Sequence, residues 1–315
     1  TISWTSLAER LENQPQVLCI VNLTRHAKEL WEALSHRVPQ DQLPAHLSSH
    51  MCAQHRLDLI TSIKADLKAG RPVRVISTQL IEAGVDLDFP VVYRAMGPLD
   101  SIVQAAGRCN REGSPSRGQV HVFQPVDARA LPPGVYTAAT GCAVKSLALV
   151  AAQGKNPAAV LAEDATIFAD YFTSLWQDIP TDHATAGDRT IQQCRENLDF
   201  ATVAERAKVI RENGQMGIIV IGCSDGTDFP SDAFVKALRD PNRMFPPRKR
   251  FTRGDLRQFQ RYMVNVRPHD LAKLTAAGAL TPLLPGLDIP VLGQAWYNRH
   301  LGLLVDGLPP SDYLS

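Results

Sequence analysis

The chain has 315 residues, enough for about two domains at roughly 150 residues each. Apolar residues make up 44% and charged residues 21%, the balance of an ordinary globular protein, which excludes wholesale disorder. A formal net charge of +1 excludes binding of a polyanion by bulk charge, though not by a local basic groove, and no run of about 18 apolar residues suggests a membrane span.

In chain order, residues 17–22 (VLCIVN) form a short β-branched run that predicts a strand. Thr24 can cap the next segment, where Ala27, Leu30, Trp31, Leu34 and Val38 recur at helical spacing. Residues 45–49 predict a short strand and residues 53–67 a helix, ended by Gly70 and Pro72. Residues 74–78 and 91–95 read as strands, residues 101–108 as a short helix and residues 119–123 as another strand. Strands alternating with helices predict an α/β fold, a parallel sheet with helices on both faces, over residues 1–130. Residues 131–212 predict a helical linker, with helices at 138–152, 158–177 and 200–212 and a polar break at 180–189. Residues 213–315 predict a small α/β or α+β C-terminal domain: a strand in 217–222, a helix near 231–239, a basic stretch, a strand at 262–266 and a loop-like end from Thr281.

The six cysteines (Cys19, Cys52, Cys109, Cys142, Cys194 and Cys223) are far apart, with no CxxC and no Cys/His cluster. That pattern predicts reduced, mostly buried thiols, no structural metal and a cytoplasmic protein. The chain starts at Thr1 without a signal-peptide pattern and reads as a piece of something longer.

The most informative stretch is residues 75–113, VISTQLIEAGVDLDFPVVYRAMGPLDSIVQAAGRCNREG. Its first half is a strand followed by a turn with Gly84, Asp86 and Asp88, and loops at the carboxyl ends of parallel strands are where such sheets bind ligands. Ser77 and Thr78 can donate to phosphate, and Asp86 can accept from a ribose. In the second half Arg108 and Arg111 stand three residues apart, which on a helix places two guanidiniums on one face beside Gln104. Guanidinium donors match phosphate oxygens bidentately. Glu82 pairs, on this reading, with a nearby cation, and Asp88 is a turn residue.

STQLIEAGVDLDF resembles motif V of superfamily 2 helicases, and QAAGRCNR resembles their motif VI. With the upstream LCIVNLTRHAKELWEAL and HLSSHMCAQHR, the wording is most similar to the CRISPR-associated helicase–nuclease of type I systems. The resemblance implies the second of two RecA-like domains plus a C-terminal domain, with ATP and magnesium bound mainly by the first RecA-like domain and single-stranded DNA across the top. It implies Arg111 as the arginine finger, with Arg108 and Gln104 on the γ-phosphate side and Gly84 and Asp86 at the nucleotide edge. It places Thr78, Ser77, Asn22 and Arg56 near the nucleic acid. The implied partners are upstream helicase and nuclease domains and a CRISPR RNA-guided surveillance complex. A superfamily 2 helicase of DNA repair or restriction, or a non-catalytic DNA- or protein-binding module, is an alternative.

No GxxxxGK[ST] phosphate loop and no DEAD- or DExH-like acid occurs, so the chain carries half an ATPase site and is expected to be inactive alone. His269-Asp270 is a lone HD dipeptide, best read as a loop or helix start. His46 and His50 lie in an expected strand and turn, and residues 224–228 (SDGTD) lack the later ligands of a calcium loop. Residues 236–267 hold ten basic and two acidic residues, a local +8. Phe245, Phe251, Phe259 and Tyr262 are interleaved with them. This is the composition of a single-strand track, with Arg248, Lys249 and Arg250 at its centre. A solvated helix face would have the same charge.

Overall fold

The structure is a computed structural model that describes residues 1–82, 85–111, 113, 118–127, 131–179, 189–206, 214–240 and 253–306. It divides into two compact units. Unit 1 comprises Thr1–Ala95, Gln104–Asp127 and Gly214–Ser315, and unit 2 comprises Met96–Val103 and Ala128–Asn213. The expected C-terminal stretch therefore shares a unit with the expected RecA-like domain.

Unit 1 is built on a parallel five-stranded sheet, order β2-β3-β1-β4-β5. The strands are β1 (Gln16–Ile20), β2 (Ala45–Leu47), β3 (Val73–Ser77), β4 (Val91–Ala95) and β5 (Gln119–Phe123). Its helices are α1 (Trp4–Glu12), before β1, with α2 (Thr24–Ser35) and α3 (Ala53–Lys68) between strands; α4 (Leu99–Ala106) follows β4, and its residues up to Val103 belong to unit 2. Alternation along β1 sorts the two faces. Val17, Cys19 and Val21 pack with Leu7, Leu11, Leu30 and Leu34 of α1 and α2, while Leu18 and Ile20 pack with Leu47, Ile63 and Val75. Each such aliphatic side chain contributes about 1.5–3 kcal/mol by leaving water. Thr24 is the first residue of α2 rather than its cap: Leu23 holds the N-cap position and makes no side-chain cap bond.

The observed strands match the expected ones closely. α4 does not: it stops at Ala106, two residues early. Beyond it, Cys109 forms a parallel bridge to Phe89, and Asn110 adopts φ +52°. Gly107, with the lowest helix propensity after proline, lies where the helix gives way. Arg108 and Arg111 consequently occupy a loop rather than one helix face.

Unit 2 holds α5 (Val135–Ala152), α6 (Pro157–Glu163), α7 (Thr166–Asp178), α8 (Ile191–Glu196) and α9 (Phe200–Arg206). Ala139, Cys142, Ala143, Ile167 and Tyr171 form its core with Leu99 and Ile102. Asn156 caps α6 ahead of Pro157, and Thr190 and Gln193 form a capping box on α8. α5 has 18 residues at mean hydropathy 1.4, long and apolar enough by length and composition to cross a membrane, against the expectation of no such segment. It buries one stripe in this core and carries Lys145, 3.3 Å from Asp178.

The chain then returns to unit 1 with β6 (Met216–Val220), α10 (Pro230–Arg239), α11 (Arg253–Gln260), β7 (Met263–Val266), α12 (Pro268–Ala276), β8 (Leu280–Pro282), β9 (Pro290–Leu292), β10 (Tyr297–Asn298) and β11 (Gly302–Leu303). A second sheet runs β7-β6-β9-β8, and β10 and β11 form a hairpin. The end from Thr281 is thus not loop-like: β9 pairs in parallel with β6, and the hairpin docks on the turn after β2. There Leu303 N donates to His50 O (2.8 Å), Cys52 N donates to Tyr297 Oη (2.9 Å), and Trp31 stacks on His300 at 5.5 Å. Leu301 and Leu304 join the core beneath α2. His269 and Asp270 lie in the first turn of α12, as a helix start. Residues 224–228 form a turn in which Asp225 accepts from Thr227 N (3.0 Å).

Candidate nucleotide and nucleic-acid edge

All five strands of the first sheet are parallel, so the residues that follow them gather along one edge. Asn22 follows β1, Thr78 follows β3, and Arg94 lies near the end of β4. β1 has β3 on one side and β4 on the other, and the crevice at such a switch in strand order is the usual ligand position.

The crevice is organised by arginines. Arg94 is fully buried on β4, where a guanidinium is tolerated only with polar partners. Its Nη1 donates to Asn22 Oδ1 (2.7 Å) and to Ala95 O (2.8 Å), and its Nη2 lies 3.0 Å from Glu82 Oε1. Gln79 Nε2 donates to Asn22 O (3.1 Å), tying the 3-10 turn Gln79–Ile81 to the end of β1. Arg108, 9% exposed, holds the same loop from the other side: Nη2 donates to Glu82 O (2.7 Å) and Nη1 to Val85 O. Charge-assisted bonds of this kind are about twice as strong as neutral ones.

Arg111 differs. Its side chain is 52% exposed, and Nη1 lies 2.8 Å from Oδ1 of Asp86, itself 75% exposed. Its backbone N donates to Asp88 Oδ1 (2.7 Å), so Asp88 serves the turn, as expected. Exposed ion pairs contribute roughly 0–1 kcal/mol, little enough for a phosphate to displace the carboxylate. Gln104 is exposed on α4. Burial, and then Asp88, push the Cys109 thiol up, away from thiolate reactivity.

The structure thus pairs Asp86 with Arg111 and ties Arg108 to the carbonyls of Glu82 and Val85, while Asn22 and Thr78 follow β1 and β3 and are linked to Glu82 through Arg94 and the Gln79 turn. Ser77 faces inward: it is fully buried, and its Oγ donates to Leu47 O (3.1 Å) and Thr78 O (2.9 Å), so the hydroxyl is committed within the sheet. Asn22 is 3% exposed, with its side-chain oxygen accepting from Arg94. Thr78 is 8% exposed, and Arg56 is half-buried in the first turn of α3. Gly84, Arg248, Lys249 and Arg250 lie outside the described residues, as do Phe245 and Phe251. Phe259 is buried and meets Phe234 edge-on, which removes it as a base-stacking platform. Tyr262 is half-buried near Phe229. Arg239 donates to Leu283 O, Pro282 O and Thr281 Oγ1, a structural use of one basic residue. Among the described residues no group of three or more His, Cys, Asp or Glu could hold a metal ion.

Arg94 is the functional-site residue that sequence reasoning missed. An arginine inside an otherwise apolar five-residue strand was the available signal. Glu82, by contrast, has the cationic partner its pattern suggested.

Residues 13–114 match the family described as CRISPR-associated nuclease/helicase Cas3, C-terminal. The CRISPR-associated nuclease/helicase Cas3 of Haloferax volcanii is 55% identical over 65 residues, 20% of this chain and 7% of that protein. The protein of the same name from Streptococcus thermophilus is 34% identical over 109 residues, 33% of this chain and 11% of that protein. Among solved structures, T. fusca Cas3 superposes with a TM-score of 0.56 at 15% identity, over 91% of this chain and 37% of that one. T. fusca Cas3-ATP gives 0.53 at 15% identity, over 92% and 37%. The fold is shared, and the matches span a minor part of each relative.

Proposed function

We propose, on the premise that this chain is similar to the C-terminal part of the CRISPR-associated nuclease/helicase Cas3, that it supplies the arginine-finger side of an ATP site and part of a single-stranded DNA track in a helicase acting in CRISPR interference. The carrying observation is the contrast between arginines: Arg108 is buried and bonded to the carbonyls of Glu82 and Val85, whereas Arg111 is half exposed beside Asp86 in the loop between α4 and β5. A guanidinium so placed is free to bind an incoming terminal phosphate.

The residues present fit a nucleotide. Arg111 offers a planar fork to the phosphate, Asp86 released from it can accept from a ribose hydroxyl, and exposed Gln104 can hydrogen-bond on the same side. An arginine finger stabilises the charge spread over the transferring phosphoryl oxygens and is worth about 10³–10⁵ in rate. Arg108 acts by holding the carbonyls of Glu82 and Val85. Magnesium and the phosphate loop fall to an upstream RecA-like domain, so this chain alone would not turn over ATP. Thr78 and Arg56 are the described residues best placed to meet a DNA phosphate, and the basic stretch around Arg248, Lys249 and Arg250 would extend the track. A CRISPR RNA-guided surveillance complex would deliver the substrate strand.

The test is ATP turnover with the upstream domain present. Arg111→Ala should cut it about 10³-fold or more while DNA affinity stays within about twofold, and Arg111→Lys should fail similarly, since an ammonium lacks the fork. Near-normal turnover in Arg111→Ala would remove the assignment.

A further inference from the structure

We propose that Arg94 is a positioning residue that holds the loop after β3 in the register its two ends require, Thr78 toward the strand and Asp86 with Arg111 toward the nucleotide. The inference rests on the reading above and deepens it. The observation is topological. Arg94 is fully buried, and it bonds to the ends of three elements: Asn22 after β1, Ala95 at the end of β4, and Glu82 in the loop after β3. The same Asn22 takes Gln79 Nε2 through its carbonyl, so both the start and the middle of the loop are fixed from the crevice. The loop's far side is fixed independently by Arg108 on the carbonyls of Glu82 and Val85.

Glu82 is consequently gripped twice, at its carboxylate by Arg94 of β4 and at its carbonyl by Arg108 of the loop after α4. Four residues before it lies Thr78, and four after it lies Asp86. Glu82 would thus couple the described stretches on either side of it, because a buried ion pair has few alternative arrangements. Hydrophobic packing alone does not require a guanidinium here: Val92, on the same face of β4, buries its side chain without any polar partner. Arg94 is fully buried and would act only through the loop.

The loop test uses hydrogen exchange on the 315-residue chain. Arg94→Met removes the charge and the fork at similar length, Arg94→Lys keeps the charge but cannot reproduce the planar donors, and Glu82→Gln keeps the shape with a weaker pair. Amides of residues 79–82 and 85–88 should exchange at least tenfold faster in each variant, while those of β1 and β3 stay protected. The function test is ATP turnover in the full helicase with its upstream domain and single-stranded DNA. Turnover number should fall by up to about 10²-fold, the usual effect of small misplacement, with KM for ATP within about twofold and the stimulation by DNA reduced in proportion.

Unchanged loop exchange with an intact fold overturns the proposal. So does a faster loop with unchanged turnover. If Arg94→Met loses protection throughout the sheet, Arg94 has a general folding role in that variant, and Glu82→Gln decides: faster exchange confined to the loop supports positioning, and global loss overturns it. The Arg111→Ala variant run alongside separates the two layers. Full turnover there defeats the ATP-site reading, whereas full turnover only in the Arg94 and Glu82 variants defeats the positioning role alone.

Discussion

Gly302 is where the C-terminal hairpin meets the first sheet, and Gly302→Ala tests that docking quantitatively. Gly302 has φ +77°, and an added Cβ would lie 2.4 Å from His50 O, 2.8 Å from His50 C and 2.9 Å from Met51 Cγ. Left-handed backbone costs an alanine roughly 1–2 kcal/mol. The two nearest atoms are backbone, which cannot rotate away, so the hairpin must retreat and stretch the Leu303 N to His50 O bond. Overpacking of this kind costs roughly 1–3 kcal/mol, and the weakened hydrogen bond about 1 kcal/mol more. The total is about 3–6 kcal/mol. Gly286→Ala is the control: its φ is +78°, but no atom lies within 4 Å of its Cβ position, so only the conformational part applies. Urea unfolding of both variants, with hydrogen exchange at Met51 and Leu303, separates the contributions. A difference of about 2–4 kcal/mol between the variants is expected from the packing and hydrogen-bond costs alone. Equal destabilisation would refute the close approach of the hairpin to the His50 turn.

Burial pushes His46 down to about 3, and burial also lowers His50, His55 and His300. An unfolded histidine binds its proton near pH 6.5 while buried His46 does not, so stability is fully present above that pH and is lost as pH falls below it, by about 1.4 kcal/mol per pH unit for His46, with the other three adding in the same direction. Unfolding midpoints measured from pH 7.5 to 5 should fall, and His46→Leu should flatten the slope by one proton; a flat profile in the parent chain contradicts the burial. Replacing Arg248, Lys249 and Arg250 with Glu should weaken single-strand binding and make the salt slope shallower by about 0.7 for each DNA phosphate no longer neutralised. A folded variant with unchanged affinity and slope makes that stretch a solvated face or a protein-docking surface.

The first sheet was legible because β1, β3, β4 and β5 are short runs with β-branched residues bounded by turn residues, and residues 91–95 and 119–123 coincide with β4 and β5. Motif spacing singled out the candidate edge but not the different settings of its residues. Counting three residues from Arg108 to Arg111 assumed a helix that ends at Ala106, so the side chains diverge, one inward and one outward. Arg94 was passed over as one letter of a strand, although a lone arginine among Val91, Val92, Tyr93 and Ala95 must be either exposed or paired. The C-terminal strands were hidden for another reason. β9, β10 and β11 have two or three residues each, too few for a period, and take their pairing from β6 and the His50 turn rather than from local propensity. α1 was missed although Leu7, Ala8 and Leu11 form its buried stripe at helical spacing.

Phosphate release with single-stranded DNA present, measured for this chain alone and for the same chain joined to a RecA-like domain that carries a phosphate loop and a magnesium-binding acid, tests the shared ATP site most directly. The account predicts no turnover above background from the chain alone. It predicts robust turnover from the joined protein, and loss of about 10³-fold or more of that turnover in Arg111→Ala. Turnover by the chain alone that survives repurification, or a joined protein indifferent to Arg111, would contradict it.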